Sequence, residues 1–177
     1  MHIFLTGPIQ VGKTSVIEKS LSLLGNPLLG GFRTVSIPSQ LPRARAEVYV
    51  IPAQGEAIYD RAHLLGIRWG DDLFTAFPEA FEQGGLSILR NTAVNARLLL
   101  MDELGMMEQK APAFRRAVLQ ALDGPLPILG VLKPKAIPFL DAIRQHPAVQ
   151  LLEVRPENRD ELPRQVAALL RPQVCAS

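Results

Sequence analysis

Runs of consecutive apolar residues alternate along this chain with segments whose apolar residues recur at helical spacing. The apolar runs predict strands over residues 2–6, 28–37, 46–52, 96–105, 126–132 and 148–154. The helical spacing predicts helices over residues 12–26, 111–124, 136–146 and 158–170, and a mostly helical segment over 71–92, broken near Pro78 and the Gly84–Gly85 pair. Strands of continuous apolar residues are typical of a parallel sheet that helices cover on both faces. The pattern therefore predicts an α/β fold.

One part of the pattern departs from regular strand–helix alternation. The strand segments 28–37 and 46–52 follow one another, separated only by a connection that contains proline and arginine. Two strands joined in this way favour a hairpin. The expected sheet is therefore mainly parallel, with an antiparallel excursion near residues 28–52. Because the sequence shows no internal repeat and no obvious linker, residues 1–177 are expected to form a single domain.

Composition narrows the class of protein. Hydrophobic residues make up 47% of the chain and charged residues 20%, which is typical of a globular protein and not of a disordered one. The net charge of +2 is too small to favour a nucleic-acid partner, which needs a concentrated basic face. The densest basic cluster, around Arg43 and Arg45, is expected to be a solvated loop or hairpin.

The sequence also bears on location and on metal binding. Cys175 is the only cysteine, so a disulfide within the chain is impossible and a reducing cytoplasm is the expected location. The N-terminus lacks a signal-peptide pattern, and no apolar run approaches the roughly 20 residues that span a bilayer, so no membrane association is expected. His2, His63 and His146 are scattered without metal-ligand spacing, so no zinc site is expected.

The segment GPIQVGKT, from Gly7 to Thr14, lies between the first predicted strand and the first predicted helix. It carries the pattern G-x-x-x-x-G-K-[ST]. The glycines allow a tight wrap whose backbone N–H groups point at phosphate oxygens, and the helix start adds partial positive charge. Lys13 is expected to reach the β- and γ-phosphates, and the Thr14 hydroxyl is expected to ligate Mg²⁺. The pattern therefore predicts a nucleotide-binding loop.

The residues expected to touch the nucleotide cover this whole loop. They are Gly7, Pro8, Ile9, Gln10, Val11, Gly12, Lys13, Thr14 and Ser15. Pro8 has no N–H group, so the backbone donors must come from the later part of the loop, from Gln10 onwards. Lys13 is also expected to act in catalysis, because its charge opposes the negative charge that develops on the phosphates.

A second motif supplies the acids that a phosphate loop requires. The segment LLLMDE places Asp102 and Glu103 at the carboxyl end of a predicted strand. Ligands of open α/β sheets bind beyond that edge, where both motifs would meet. Asp102 is expected to hold Mg²⁺, through water, and Glu103 to polarise the attacking water as general base. DELG also fits the D-x-x-G pattern of small GTPases. However, the sequence contains no N-K-x-D or T-K-x-D segment, the motif with which those proteins recognise guanine.

With both motifs placed, the chain resembles the THEP1 family of nucleoside-triphosphatases over nearly its whole length. The resemblance is carried by FLTGPIQVGKTS, GGFRT, LLLMDELGMME, FRRAVLQAL and HPAVQLLEVRPENRDELP, and the last, with DELGMME, is the more specific part. It implies a RecA-like P-loop fold, a three-layer sandwich, and slow Mg²⁺-dependent hydrolysis of ATP, GTP and other nucleoside triphosphates. It also implies that Gly7–Thr14 and the segment around Asp102–Glu103 lie at the nucleotide.

The chain departs from this family at two places. After GGFRT the family commonly has acidic residues and then a basic one, whereas this chain has Val35, Ser36 and Ile37. Before the central helix, GIRWGDDLF stands where the family tends to have a Tyr-Gly-Val type of stretch. The aromatic residues in and after that stretch recur at helical spacing and are expected in the core, not at a base-stacking surface. They are Trp69, Phe74, Phe77 and Phe81.

Several basic residues are candidates for the positive group that stabilises the γ-phosphate. They are Arg33, Arg90, Arg97 and Lys133. Lys133 is the best placed, because it follows the strand LPILGVL and so reaches the same sheet edge. Arg159 is a candidate to stack on the base or to reach a phosphate. Its neighbour Asn158 is expected to cap the last helix, with Glu161 completing a capping box.

Three functions are consistent with these motifs. The leading one is a nucleoside-triphosphatase that directs water onto the γ-phosphorus. The second is a nucleotide or small-metabolite kinase, for which the Arg43/Arg45 segment would serve as a lid over an acceptor. The third is a nucleotide-dependent switch or assembly factor with slow hydrolysis and a protein partner. The same loop residues would serve all three, so the sequence leaves these alternatives open.

Overall fold

The structure is a computed structural model that describes residues 1–70 and 73–175. Its strands are β1 (His2–Thr6), β2 (Leu29–Pro38), β3 (Ala46–Pro52), β4 (Leu64–Arg68), β5 (Phe74–Ala76), β6 (Leu98–Leu104), β7 (Ile128–Leu132) and β8 (Val149–Glu153). Its α-helices are α1 (Lys13–Leu23), α2 (Leu86–Arg90), α3 (Pro112–Leu122), α4 (Pro138–Arg144) and α5 (Leu162–Val174). A π-helical turn, Phe81–Gly85, leads into α2, and a 3₁₀ turn, Met107–Lys110, precedes α3. None of the helices in the described ranges is long and apolar enough to cross a membrane.

The strands form one sheet in the order β5-β4-β3-β2-β6-β7-β1-β8. The five strands from β2 to β8 in that order pair in parallel, as the continuous apolar runs predict. Their carboxyl ends therefore share one edge of the sheet. β7 lies between β1 and β6, so the ends of β1, β7 and β6 are immediate neighbours along this edge.

Helices cover both faces of this sheet and make it the middle of three layers. On one face α1 and α5 pack through buried residues such as Ile17 and Val166. On the other face α2, α3 and α4 pack with the π-helical turn, and Phe114 there lies 5.4 Å from Phe32 and 4.9 Å from Phe81 between ring centroids. Burial of these apolar faces in two separate clusters fixes the sheet between the helices.

The antiparallel excursion exists and extends further than the sequence indicates. β2 and β3 form the expected hairpin, with Arg33 opposite Ile51. β4 and β5 continue it, so the antiparallel part runs to Ala76. The prediction of helix over 71–92 is therefore wrong for Phe74–Ala76, and Asp71 lies outside the described residues. The sequence gives β4 and β5 no clear strand pattern. β5 has only three residues, and the centre of β4 is a glycine, Gly66, against which the Phe74 ring packs.

The helical part of that segment begins later and is continuous. Gly84 and Gly85 do not break it, because they lie in the π-helical turn that leads directly into α2. The expected aromatic core is right only for Phe81, which is 1% exposed. Phe74 is exposed on the edge strand, and Trp69 and Phe77 are half-buried in the antiparallel region. Their apparent helical spacing fails because a strand and a loop interrupt the helix.

Candidate active site at the carboxyl edge of the sheet

The Gly7–Thr14 loop joins β1 to α1 at the carboxyl edge of the sheet. Gly12 caps α1 with φ 107°, a left-handed conformation that favours glycine. Gly7 has φ 141°, and a Cβ there would lie 2.6 Å from the carbonyl oxygen of Val154. Glycine at both positions is thus a requirement of the backbone, and the loop that results leads straight into the first turn of a helix.

The side chain of Lys13 folds back across the phosphate loop. Lys13 Nζ donates to the carbonyl oxygens of Gly7, at 3.0 Å, and Pro8, at 2.6 Å. The Lys13 ammonium therefore spans the concave side of the loop. Ile9 is 89% exposed, and Thr14 and Ser15 are also exposed, whereas Val11 is buried against α1 and α5. The buried Val11 side chain thus fixes the loop on the helices, while the exposed residues around it remain accessible to a ligand.

Asp102 lies close to the phosphate loop. Leu98 and Leu100 of β6 pack on the α1 side of the sheet, and strand alternation puts Asp102 on the same side. Burial and the neighbouring Glu103 raise the pKa of Asp102 to about 6, although the charges of Arg33 and Lys13 lower it. The two motifs found in the sequence, Lys13 and Asp102, therefore meet within electrostatic range, as expected.

Glu103 forms an ion pair with Lys133 at the end of the adjacent strand. Lys133 Nζ lies 3.0 Å from Glu103 Oε1. The backbone N–H of Lys133 donates to the carbonyl of Leu104 at 3.0 Å, so the ends of β6 and β7 are joined. The Asp102–Glu103 peptide bond is cis. The predicted base and the best-placed predicted cation are thus direct neighbours.

Sequence reasoning missed one acidic residue behind this pair. Glu108, in the 3₁₀ turn, is 2% exposed, and its Oε1 accepts the N–H of Gly105 at 3.0 Å. Its Oε2 is buried and has no hydrogen-bond partner among the described residues. Burial raises the pKa of Glu108 to about 7. The available signal was its position in DELGMME directly after two methionines, of which Met107 packs against the core and Met106 is exposed.

Arg159 lies against the phosphate loop, whereas its neighbour Asn158 has another role than expected. A Cβ at Gly12 would lie 3.7 Å from Arg159 Cδ. Helix α5 begins at Leu162, so the prediction that Asn158 caps it is wrong. Asn158 instead closes the loop after β8, where it accepts the N–H of Arg155 and donates to the carbonyl of Glu153, both at 2.9 Å. This bracing presents Arg159 at the loop.

The remaining basic candidates divide between the two edges of the sheet. Arg33 is opposite Asp102 in the β2–β6 register, and its buried Nε has no hydrogen-bond partner within residues 1–70 and 73–175. Arg97 immediately precedes β6, and Arg90 ends α2 in the same connection, so both lie towards the opposite edge. Arg43 and Arg45 lie in the expected hairpin connection between β2 and β3, beyond the carboxyl end of β2.

Comparison with known proteins agrees with this arrangement. Residues 2–167 match the sequence profile of a family described as NTPase. The nucleoside-triphosphatase THEP1 of Thermotoga petrophila is 28% identical, covering 97% of this chain and 93% of its own length. A cancer-related nucleoside-triphosphatase homolog of Mus musculus is 30% identical and covers 96% of both chains.

Solved structures agree with the fold. The crystal structure of THEP1 from Aquifex aeolicus aligns with a TM-score of 0.73 at 25% identity, covering 96% of this chain and 99% of its own. The solution structure of a human cancer-related nucleoside triphosphatase aligns with a TM-score of 0.67 at 29% identity, covering 97% of each chain. The P-loop NTPase fold and the resemblance drawn from the sequence are thereby confirmed, and the chain belongs to the NTPase family.

Proposed function

We propose that this protein hydrolyses nucleoside triphosphates, ATP and GTP among them, to the diphosphate and phosphate in a Mg²⁺-dependent reaction. The observation that carries the proposal is the convergence of Lys13, Asp102 and the Glu103–Lys133 pair at one edge of the sheet. Membership of the NTPase family supports it. A phosphate cradle, a carboxylate for a metal and a carboxylate for water are the parts that this reaction needs.

The phosphate loop would bind the triphosphate. Its backbone N–H groups and the start of α1 favour the negative charge of the β- and γ-phosphates. The Lys13 ammonium, which spans the loop mouth on the carbonyls of Gly7 and Pro8, would exchange these neutral acceptors for charged phosphate oxygens. Arg159, packed against Gly12, would stack on the base or contact a phosphate.

The residues present fit a Mg²⁺ ion bound jointly with the nucleotide. The described residues hold no cluster of three or more His, Cys, Asp or Glu side chains that would form a metal cage by themselves. Mg²⁺ typically takes one or two protein oxygens and completes its shell with phosphates and water, and Thr14 and Asp102 provide such oxygens. When bound, the ion supplies positive charge against the phosphate oxygens.

Glu103 would receive a proton from the attacking water. The water oxygen forms a bond to the γ-phosphorus, and the bond from that phosphorus to the β,γ-bridging oxygen breaks. Glu103 Oε1 lies 3.0 Å from Lys133 Nζ, so this cation is already in place beside the carboxylate. Lys13 and Lys133 would stabilise the charge that moves onto the phosphates.

Phosphate release from ATP, GTP, CTP and UTP, with and without Mg²⁺, tests the proposal. Lys13→Ala is expected to lose nucleotide binding, and Glu103→Gln to bind nucleotide but hydrolyse it about a hundredfold more slowly. Lys19→Ala is the matched control, because Lys19 is an exposed lysine of the same helix, whose Nζ pairs with Asp160 at 3.4 Å on the protein surface. Binding without phosphate release by the wild type would overturn the hydrolase and favour transfer to an acceptor or a partner-dependent switch.

A further inference from the structure

We infer that Arg33 is a further substrate-binding residue, whose guanidinium binds the terminal phosphate of the nucleotide and makes the site prefer triphosphates to diphosphates. This inference rests on the proposed function, since it adds a contact within the same site. Arg33 lies on β2, a strand that contributes no other side chain to the proposed mechanism.

Strand register places Arg33 beside Asp102 on the face of the sheet that carries the phosphate loop. Arg33 is opposite Asp102 in the parallel pairing of β2 with β6. Phe32, the preceding residue, packs in the cluster on the α3 face, so strand alternation directs Arg33 to the α1 face. Leu100 packs on the α1 face, which puts Asp102 there as well. Because neighbouring strands lie roughly 4.8 Å apart, the two side chains are adjacent.

Two cations act on the Asp102 carboxylate from this face. Burial raises the pKa of Asp102, whereas the charges of Arg33 and Lys13 lower it, and the effect of Arg33 is the larger. Of the other acids that act there, Glu103 is already in an ion pair and Glu18 is exposed on α1. The face beside the phosphate loop therefore carries positive charge that favours an anionic ligand.

The guanidinium of Arg33 lacks the acceptors that a structural arginine usually has. Its Nε is buried without a hydrogen-bond partner among the residues that the structure describes, although the residue as a whole is only half-buried. β2 contains no acidic residue. Glu47, the acid of the adjoining β3, accepts the hydroxyls of Ser39 and Tyr49 at 2.7 and 2.6 Å. A charge held without acceptors is costly in the free protein, and a phosphate beside it offsets that cost.

The position of β2 in the sheet assigns Arg33 to the terminal phosphate. The phosphate loop follows β1, and β2 lies beyond β7 and β6. At roughly 4.8 Å for each step between strands, the backbone of Arg33 is about 14 Å from the β1 end of the site. In the proposed function the β-phosphate sits in the loop and the γ-phosphate extends towards Asp102. A diphosphate ends before it reaches Arg33.

Affinities for a triphosphate and a diphosphate test the inference without hydrolysis. Isothermal titration calorimetry gives the Kd of the non-hydrolysable ATP analogue AMP-PNP and the Kd of ADP. In Arg33→Met, which keeps an unbranched stem without the charge, we expect the Kd of AMP-PNP to rise about tenfold and that of ADP by less than about twofold. Arg33→Lys should recover part of the preference, because an ammonium lacks the planar fork.

The matched control is Arg116→Met. Arg116 is an exposed arginine of α3, the helix that packs on the opposite face of the sheet. Its replacement removes the same charge from the protein and should leave both Kd values unchanged. A rise in the Kd of AMP-PNP as large as that of Arg33→Met would mean that net charge, and not a contact, sets the preference, and would overturn the inference.

Titrations with Mg²⁺ and with EDTA separate a phosphate contact from support of Asp102. If Arg33 binds the phosphate, Arg33→Met weakens AMP-PNP more than ADP under both conditions. If Arg33 only holds Asp102 in place for the metal, the difference appears with Mg²⁺ alone, and the inference is wrong.

Equal losses of AMP-PNP and ADP affinity in Arg33→Met, or no loss of either, would also overturn the inference. Binding of ADP shows at the same time that the variant is folded. If Arg33→Met does not fold, Arg33→Lys decides, because a wild-type preference for AMP-PNP in that variant would overturn the inference. A wild type that binds neither nucleotide removes the proposed function as well, whereas one that binds both without preference removes this inference alone.

Discussion

Lys133 Nζ lies 3.0 Å from Glu103 Oε1. Glu103 lies near the carboxyl end of β6, and Lys133 directly follows the neighbouring strand β7. Since both side chains are partly exposed, such a pair contributes about 1 kcal/mol or less to stability. The importance of the pair is therefore one of position, because it fixes a cation beside a carboxylate at the carboxyl edge of the sheet. In the proposed reaction, Glu103 would be the base and Lys133 would stabilise the charge on the phosphates.

The first prediction concerns Lys133. Lys133→Gln is expected to lower kcat for nucleoside triphosphates roughly a hundredfold, because a positive group aimed at the developing phosphate charge is lost. KM should change little, since in the proposed mechanism Lys13 and the loop amides bind the ground state. Steady-state phosphate release measures both parameters, with Lys135→Gln, an exposed lysine on the same connection, as control. Lys133→Arg should recover part of the activity, and equal activity of Lys133→Gln and wild type would contradict this role.

The part of this site that the sequence predicts is the part with local signals. Gly7, Gly12 and Lys13 stand in one loop with a required backbone geometry, and Asp102 ends an apolar run. The Lys133–Glu103 contact depends instead on β7 entering the sheet between β1 and β6, which is a non-local event. Spacing alone placed the two residues at one edge but not in contact.

Glu108 and Asn158 show why other predictions failed or were never made. Glu108 is followed by polar residues and looks exposed in the sequence, yet the 3₁₀ turn folds its carboxylate under Gly105. Asn158 and Glu161 have the spacing of a capping box, yet α5 starts later, because Asn158 bonds the backbone of the preceding loop. In both cases a short-range hydrogen bond to backbone overrides the pattern.

The second prediction concerns Gly7. Gly7→Ala places a Cβ 2.6 Å from the Val154 carbonyl oxygen at φ 141°, so the loop must shift. We expect a loss of about 1–3 kcal/mol in the free energy of unfolding and a clear rise in KM. Gly25→Ala is the control, because φ at Gly25 is also positive, at 80°, but no atom lies within 4 Å of the added Cβ. Chemical denaturation and steady-state kinetics check both variants, and an unchanged KM for Gly7→Ala would contradict the loop geometry.

The third prediction concerns Arg159, whose side chain packs against Gly12 of the phosphate loop. Arg159→Ala is expected to raise KM roughly three- to fivefold with kcat unchanged, as removal of one stacking or charge contact to the nucleotide would do. Arg159→Lys keeps the charge without the planar group, so it separates stacking from a phosphate contact. Arg164→Ala, an exposed arginine paired with Glu161 at 3.3 Å, is the control. A fall in kcat at constant KM would assign Arg159 to the chemistry instead.

The fourth prediction concerns the pH dependence of stability. The pKa of Glu108 is raised from 4.5 to about 7 in the folded protein, so the folded state binds this proton more tightly than the unfolded state. Stability therefore falls as the pH rises from about 4.5 to about 7, because the unfolded carboxyl ionises first and the buried one must follow. The full cost is roughly 3 kcal/mol.

Glu108→Gln is neutral at every pH and should escape this loss. Relative to the wild type, the free energy of unfolding of Glu108→Gln should increase across the window from about 4.5 to about 7 and stay level above it. Urea denaturation of the two proteins at a series of pH values measures this difference. Glu82→Gln is the control, because it replaces another carboxylate that accepts a backbone N–H by a neutral amide. If the difference in the free energy of unfolding between the two proteins is constant over the whole pH series, the pKa of Glu108 is not raised by folding. Burial of the charged carboxylate would then cost no stability, and the prediction would be wrong.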